Sequence, residues 1–367
     1  MDFQEFRSGE LARTVLADIR RIVTKRWTIM EVCGGQTHAI LHSGIDQLLP
    51  TDIRLIHGPG CPVCVTPIDL IDRAIDLCDS PETVLATFGD MLRVPGTRGN
   101  LFEARAAGGR VEIVGSALQA LEYARLHPEL RVVFFAIGFE TTAPSTALAI
   151  KQADREQITN FQILCAHVLV RPAMVSLVCG PGRLVQAYLA AGHVATIMGE
   201  QDYQSLARDY HVPVIITGFE SVDLLLGIRA AVRQLEAGEA KVENMYSRVV
   251  RPGGNQSARA VLNEVFESED REWRGIGMIA GSGLRLREAF RKFDAPNGAA
   301  QGTKVIRCSG ACVAGEVLQG LKRPNDCPAF GTACTPASPL GAPMVSSEGT
   351  CAAYYANHRR GVHVGQA

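Results

Sequence analysis

Short apolar runs alternate with amphipathic helical stretches along most of this chain, and many of the runs end in a glycine-bearing loop. Residues 132–137 form the clearest run, near-continuously apolar as a central strand covered on both faces of a parallel sheet requires. Parallel strands are joined by crossovers of roughly a dozen or more residues, usually helical, so the cadence predicts α/β units. A first strand over 27–32 runs into Cys33-Gly34-Gly35-Gln36-Thr37-His38 and a helix with Ile40, Leu41, Ile45 and Leu48 on one face, Thr37 as its cap and Pro50 as its stop. A second strand over 53–56 leads through Gly58-Pro59-Gly60-Cys61-Pro62-Val63-Cys64 to a helix from Pro67, with Thr66 as its capping hydroxyl and Ile68, Ile71, Ile75 and Cys78 on its buried face.

Strands over 83–88 and 110–114 and a helix over 116–126 continue the pattern, with the polar loop 89–96 at a strand's carboxyl end, where open parallel sheets bind ligands. After 132–137 comes Gly138-Phe139-Glu140-Thr141-Thr142, and after 214–217 comes Gly218-Phe219-Glu220-Ser221. These read as two related turns of one sheet, in which Thr141, Ser221 and their neighbouring acids suit helix starts. Strands over 161–165 and 194–198 lie between them, and Cys165 and Cys179 read as core. Residues 251–254 read as a linker, followed by a helix over 257–266, a strand over 275–280 and a turn at Gly281-Ser282-Gly283. The expected organisation is a first α/β domain over 1–130, a second over 131–250, a connecting α/β segment over 251–307 and a cysteine-rich domain over 308–367.

A net charge of -1 and the absence of a basic stripe argue against nucleic acid or an anionic membrane as partner. No run approaches the ~18 apolar residues of a membrane span. Residues 1–26 mix charge with helical apolar spacing, unlike a signal peptide. The expected compartment is the cytoplasm, where thiols stay reduced, so eleven cysteines point to metal or catalysis rather than a disulfide scaffold.

The thiols outside the expected core, all but Cys78, Cys165 and Cys179, fall into three sets. Cys33 lies between a strand end and a helix amino terminus, where free N–H groups and the helix dipole favour a thiolate. Cys61 and Cys64 sit in a loop whose glycines and prolines control how sulfur is presented, and their spacing leaves open a dithiol switch, half a zinc site or a pair of cluster ligands. Cys64 lies nearer the helix expected from Pro67 and is therefore the expected more acidic thiol, while His57 stands ready to tune the loop. Cys312, Cys327, Cys334 and Cys351 are set among glycine, proline and serine, in a segment that needs a cross-link or a metal to fold. Zinc and a 4Fe-4S cluster both accept four cysteines; the lack of a Cys-x2-4-Cys knuckle favours the cluster. Cys308 is a fifth thiol able to replace Cys312.

Together, Cys33 to His38, Gly58 to Cys64, Gly138 to Thr142, and the run from Gly315-Glu316-Val317-Leu318 through Pro343-Met344-Val345-Ser346-Ser347-Glu348-Gly349 resemble the HypD family of NiFe-hydrogenase maturation scaffolds. The resemblance covers nearly the whole chain. It implies two α/β domains of similar topology around a cleft, plus a small 4Fe-4S domain. It implies work with HypC on the Fe(CN)2CO unit destined for the hydrogenase large subunit, with cyanide delivered through HypE and made by HypF. By motif, Cys33 would be an iron ligand, Cys61 and Cys64 a redox-active pair, and Cys312, Cys327, Cys334 and Cys351 the cluster ligands. Gln36 stands where the family often has histidine, which makes His38 the nearer imidazole. The competing reading is a thioredoxin-like disulfide oxidoreductase with an iron-sulfur cluster, acting on proteins generally.

Overall fold

The computed structural model describes residues 6–180, 184–295 and 312–364, and the side chains among them up to residue 357. Strands β1 (Trp27–Glu31), β2 (Ile53–His57), β3 (Thr83–Thr87), β4 (Arg110–Ile113), β5 (Arg131–Gly138) and β6 (Phe161–His167) come first. They are followed by β7 (Ala187–Ala191), β8 (Val214–Thr217), β9 (Val242–Asn244), β10 (Phe266–Trp273) and β11 (Gly277–Leu286).

Nine of these strands build two parallel sheets, in the orders β2-β1-β7-β8-β9 and β4-β3-β5-β6. Numbered by first use within each sheet, both orders run second-first-third-fourth, the doubly wound topology with its crossover point beside the first strand. The α/β class with parallel sheets therefore holds, and the two domains share a topology.

Their boundaries differ from the expected ones. A cut at residue 130 separates β5 from β3, to which it is hydrogen-bonded through the pairs from Thr83↔Arg131 to Ala86↔Phe134. The first sheet is completed by β7, β8 and β9, from far along the chain. Residues assigned to a connecting segment instead finish the second domain: the β10–β11 hairpin packs on β6, and Leu262, Val265, Phe266, Leu284 and Leu286 join the core of Phe134, Phe161 and Ile163. The two Gly-Phe-Glu turns consequently lie in different sheets, one after β5 and one after β8.

Local differences have local causes. The segment expected as a strand over 194–198 belongs to the helix Gly192–Met198, and the strand is the preceding Ala-Tyr-Leu-Ala-Ala run of β7, fully buried between β1 and β8. Gly281, Ser282 and Gly283, expected as a turn, lie within β11. Thr66 does not cap the helix Ile68–Leu77; its hydroxyl donates to the carbonyl of Pro62 at 2.9 Å and closes a separate short helix, Pro62–Val65. Among the described residues no helix is long and apolar enough to cross a membrane.

Residues 312–364 form a module with the helix Thr350–Val364 packed on the helix Gly34–Ser43 and the 3-10 turn Ala342–Met344 packed on Pro62–Val65. The loop 89–96, expected to receive a ligand, receives this module. Asp90 accepts from the hydroxyl of Ser346 at 2.7 Å, and Arg93 donates to the carbonyls of Pro336 and Val345 at 2.9 and 3.0 Å.

Candidate functional site

Cys33 stands at the crossover point of the first sheet, as the N-cap of Gly34–Ser43 beyond β1. The neighbouring strand, β7, runs directly into the helix that starts at Gly192-His193, and His193 Nδ1 lies 3.8 Å from Cys33 Sγ. His193 also packs on the ring of Phe219, from the loop after β8, at 5.4 Å between centroids. The backbone around the thiol is tightly built. A Cβ on Gly34 would overlap the carbonyl of Glu348, and one on Gly60 would overlap the backbone of Cys33, so both loops need glycine for this approach.

The helix-terminus effect on Cys33 is present, through the backbone N–H groups of Gln36 and Gly35, but it does not win. The residue is 5% exposed, and burial, aided by the negative charge of Glu31 and Glu348, pushes its thiol up to about 12. Iodoacetamide at about pH 8 should therefore leave Cys33 of the native free chain unmodified and alkylate it after denaturation, as peptide mass mapping would show. Rapid native labelling would contradict this environment.

Beneath Cys33 lies a buried carboxylate that the sequence does not announce. Glu31 accepts from the N–H of Cys33 at 2.8 Å, from the hydroxyl of Thr37, and pairs with His57 Nδ1 at 2.7 Å. His57 Nε2 in turn meets the hydroxyl of Tyr354 at 2.9 Å, on the carboxyl-terminal module. His57 thus positions the Cys33 turn and ties it to that module through Glu31 and Tyr354.

Cys61 and Cys64 are joined as a disulfide, with Cα atoms 5.3 Å apart and exposures of 3% and 0%. Cys61 is the N-cap of Pro62–Val65, and its sulfur accepts from the N–H of Cys64 at 3.3 Å. The extra short helix puts Cys61, not Cys64, at the positive end of a helix. After reduction, pH-dependent alkylation of the Cys61→Ser and Cys64→Ser variants should give the lower thiol pKa at Cys61. A lower value at Cys64 would restore the original order.

Cys312, Cys327, Cys334 and Cys351 line one small cavity of about 20 Å³, whose other walls include Val317, Phe330, Pro343 and Met344. Burial and the charges of the other three cysteines push Cys351 far up, the response of thiols brought close in an apolar space. The donor set is soft and wholly sulfur, which fits a thiolate-bound iron-sulfur cluster or zinc. Among the described residues, no group of three or more His, Cys, Asp or Glu side chains is arranged to hold a single metal ion. Cys308 lies outside the described residues.

Other residues singled out by sequence take different places. His38 is exposed on the outer face of its helix, stacked on His42 at 6.0 Å, and is not brought to Cys33. Gln36 is buried, donating to the hydroxyl of Thr217 at 2.7 Å and the carbonyl of Ala190 at 3.3 Å. Glu220 pairs with Arg7 at 2.8 Å. Cys78 and Cys165 are buried, whereas Cys179, expected in the core, is exposed.

Comparison with known proteins identifies the family of the chain. The HypD family, described as hydrogenase formation hypA family, matches residues 10–358. The chain is 46% identical over 365 residues to the hydrogenase maturation factor HypD of Azotobacter vinelandii, covering 97% of this chain and 96% of the relative. It is 43% identical over 366 residues to that of Cupriavidus necator, covering 97% of each. With that of Escherichia coli K12 it shares 45% identity over 328 residues, 89% of this chain and 88% of the relative.

Proposed function

The chain belongs to the HypD family of hydrogenase maturation factors, and from that membership we propose that it is the scaffold on which, with HypC, the Fe(CN)2CO unit of a NiFe-hydrogenase is assembled. Cyanide arrives through HypE from HypF, and the finished unit passes to the hydrogenase large subunit. The observation that carries this reading is the pairing of Cys33 with His193 at 3.8 Å at the crossover point of a parallel sheet, where such folds bind ligands.

The iron unit is cargo, and soft thiolate suits iron that carries cyanide and CO. A thiol as basic as that of Cys33 binds metal only by giving up its proton. The charge of the incoming metal displaces that proton to solvent, and His193 Nδ1, 3.8 Å from the sulfur, is placed to orient it. Glu31 fixes the Cys33 backbone during this exchange by holding its N–H.

Cys312, Cys327, Cys334 and Cys351 would hold a 4Fe-4S cluster. Four thiols lining one cavity, in a segment without a Cys-x2-4-Cys knuckle, support a cluster over a zinc ion. When bound, such a cluster supplies single electrons. The Cys61–Cys64 disulfide takes two electrons and two protons when its S–S bond opens to two thiols. Its burial under Cys33 and the module favours a role inside the assembly over general action on protein disulfides.

Anaerobic purification followed by iron, sulfide and zinc analysis tests the proposal. About four iron and four sulfide per chain are expected in the module, with additional iron when HypC is bound. Stoichiometric zinc without sulfide would overturn the cluster assignment.

A further inference from the structure

The Gly218-Phe219-Glu220 turn after β8 carries an aromatic ring into the neighbourhood of Cys33. Phe219 packs on His193 with 5.4 Å between ring centroids and 35° between planes, and His193 Nδ1 stands 3.8 Å from Cys33 Sγ. The ring flanks the thiol as well: a Cβ on Gly35 would meet Phe219 at 3.4 Å and Cys33 Sγ at 3.6 Å. Tyr246 meets Phe219 edge to face, at 6.5 Å and 88°. Three rings thus run from Tyr246 through Phe219 to His193 and end on the sulfur, at spacings where aromatic pairs attract.

The backbone is shaped around this stack. Gly192 precedes His193 and Gly218 precedes Phe219, and a Cβ on either would lie 2.6 Å from the Tyr246 ring, so both glycines make room for the same side chain. The turn that carries Phe219 is clamped. Arg7 Nε and Nη2 donate to the Glu220 carboxylate at 2.9 and 2.8 Å. The Asp223 carboxylate accepts from the N–H of Glu220 at 3.4 Å and from Arg248 Nη1 and Nη2 at 2.7 and 2.5 Å, and the Arg248 guanidinium lies 4.5 Å over the Tyr246 ring. In the other Gly-Phe-Glu turn, Phe139 is 4% exposed and packs on Trp273 at 6.1 Å, an ordinary core contact.

The χ2 torsion of histidine is broad, so its backbone alone does not decide whether an edge or a face of the imidazole meets the sulfur. A ring packed across it does. Resting on the assembly role proposed above, we propose that Phe219 is a positioning residue of the iron site, fixing the plane of His193 so that the Nδ1 edge faces Cys33 Sγ. It acts through His193, and the contacts of Tyr246, Glu220 and Asp223 keep it in place. A leucine there fills much of the same apolar space and offers no flat face, which separates positioning from bulk.

Infrared spectroscopy of the anaerobic chain isolated without HypC tests the geometry, because the S–H stretch absorbs apart from other protein bands and falls when the thiol donates to nitrogen. The Cys33 band is identified by its loss in Cys33→Ser. Phe219→Leu should raise and broaden this band. Phe219→Tyr, which keeps the ring and extends a hydroxyl from a half-buried position, should leave it at the wild-type wavenumber. In the complex with HypC, Phe219→Leu should weaken iron binding at Cys33 by about tenfold, the lower end of what an outer partner of a metal ligand contributes, and Phe219→Tyr should restore it. An S–H band unmoved by Phe219→Leu, even with iron lost, or one moved equally by Phe219→Tyr, would overturn the inference. Should Phe219→Leu not fold, Phe219→Met, likewise apolar and ringless, takes its place. Wild-type complex without cyanide or CO bands would sink the assembly role, while the S–H comparison would still decide whether Phe219 positions His193.

Discussion

Replacing Cys33 with serine should abolish iron retention in the complex with HypC and leave the carboxyl-terminal cysteine site loaded. Serine preserves the N-cap geometry, so the turn, with its N–H held by Glu31, stays in place. What disappears is the thiol at this end of β1, and a hydroxyl does not supply the soft, anionic donor that low-spin iron with diatomic ligands needs. Loss of an outer partner of a metal ligand weakens binding by roughly 10–100-fold; loss of the ligand itself should exceed that. Iron and sulfide analysis of the variant separates the two sites, since Cys312, Cys327, Cys334 and Cys351 occupy their own cavity. A variant that kept its full iron complement and diatomic vibrations would show that Cys33 is not the ligand.

Glu31→Ala should be the most damaging substitution outside the cysteines. It strips the acceptor from three groups at once, the Cys33 N–H, the Thr37 hydroxyl and His57. Each buried donor left unmet costs about 1–3 kcal/mol, and removing one partner of a buried pair costs on the order of 3–5 kcal/mol, so a loss of about 4 kcal/mol is expected in chemical denaturation. The damage should spread, because His57 would lose the anchor that aims it at Tyr354, loosening the cysteine module from the Cys33 turn. Glu31→Gln, which keeps one acceptor, should lose roughly half as much. A change of less than about 1 kcal/mol for Glu31→Ala would mean that water replaces the carboxylate freely.

Much of this architecture is legible in the sequence, unevenly. The cadence of strand, glycine loop and helix identifies the α/β class because burial on both faces leaves long apolar runs such as 132–137. Which strands share a sheet is not legible. A parallel neighbour is reached through a crossover of any length, and β1 finds β7 roughly 150 residues later. The run Ala187–Ala191 lacks the β-branched residues that mark strands and is made one by its central place between β1 and β8.

The candidate site divides in the same way. Cys33, Cys61 and Cys64 stand out because glycine and proline control the backbone around them. His193 is missed because its meaning lies in a contact across 160 residues. The signal that could have found it is a strand followed at once by Gly192-His193, visible only if the strand is read at Ala187–Ala191 instead of 194–198. Glu31 looks like the last residue of an ordinary strand, and only the convergence of β2, the Cys33 turn and Tyr354 makes it a hub. His38 has the opposite history: the motif draws attention to it, and the helix turns it outward.

The central claim is that this chain holds iron bearing cyanide and CO at Cys33. Infrared spectroscopy of the anaerobically isolated protein with HypC tests it most directly, because diatomic ligands on iron absorb where protein does not. The account predicts two cyanide bands and one CO band in wild type, all lost in Cys33→Ser. Wild-type complex that contains iron but shows no diatomic bands would contradict it.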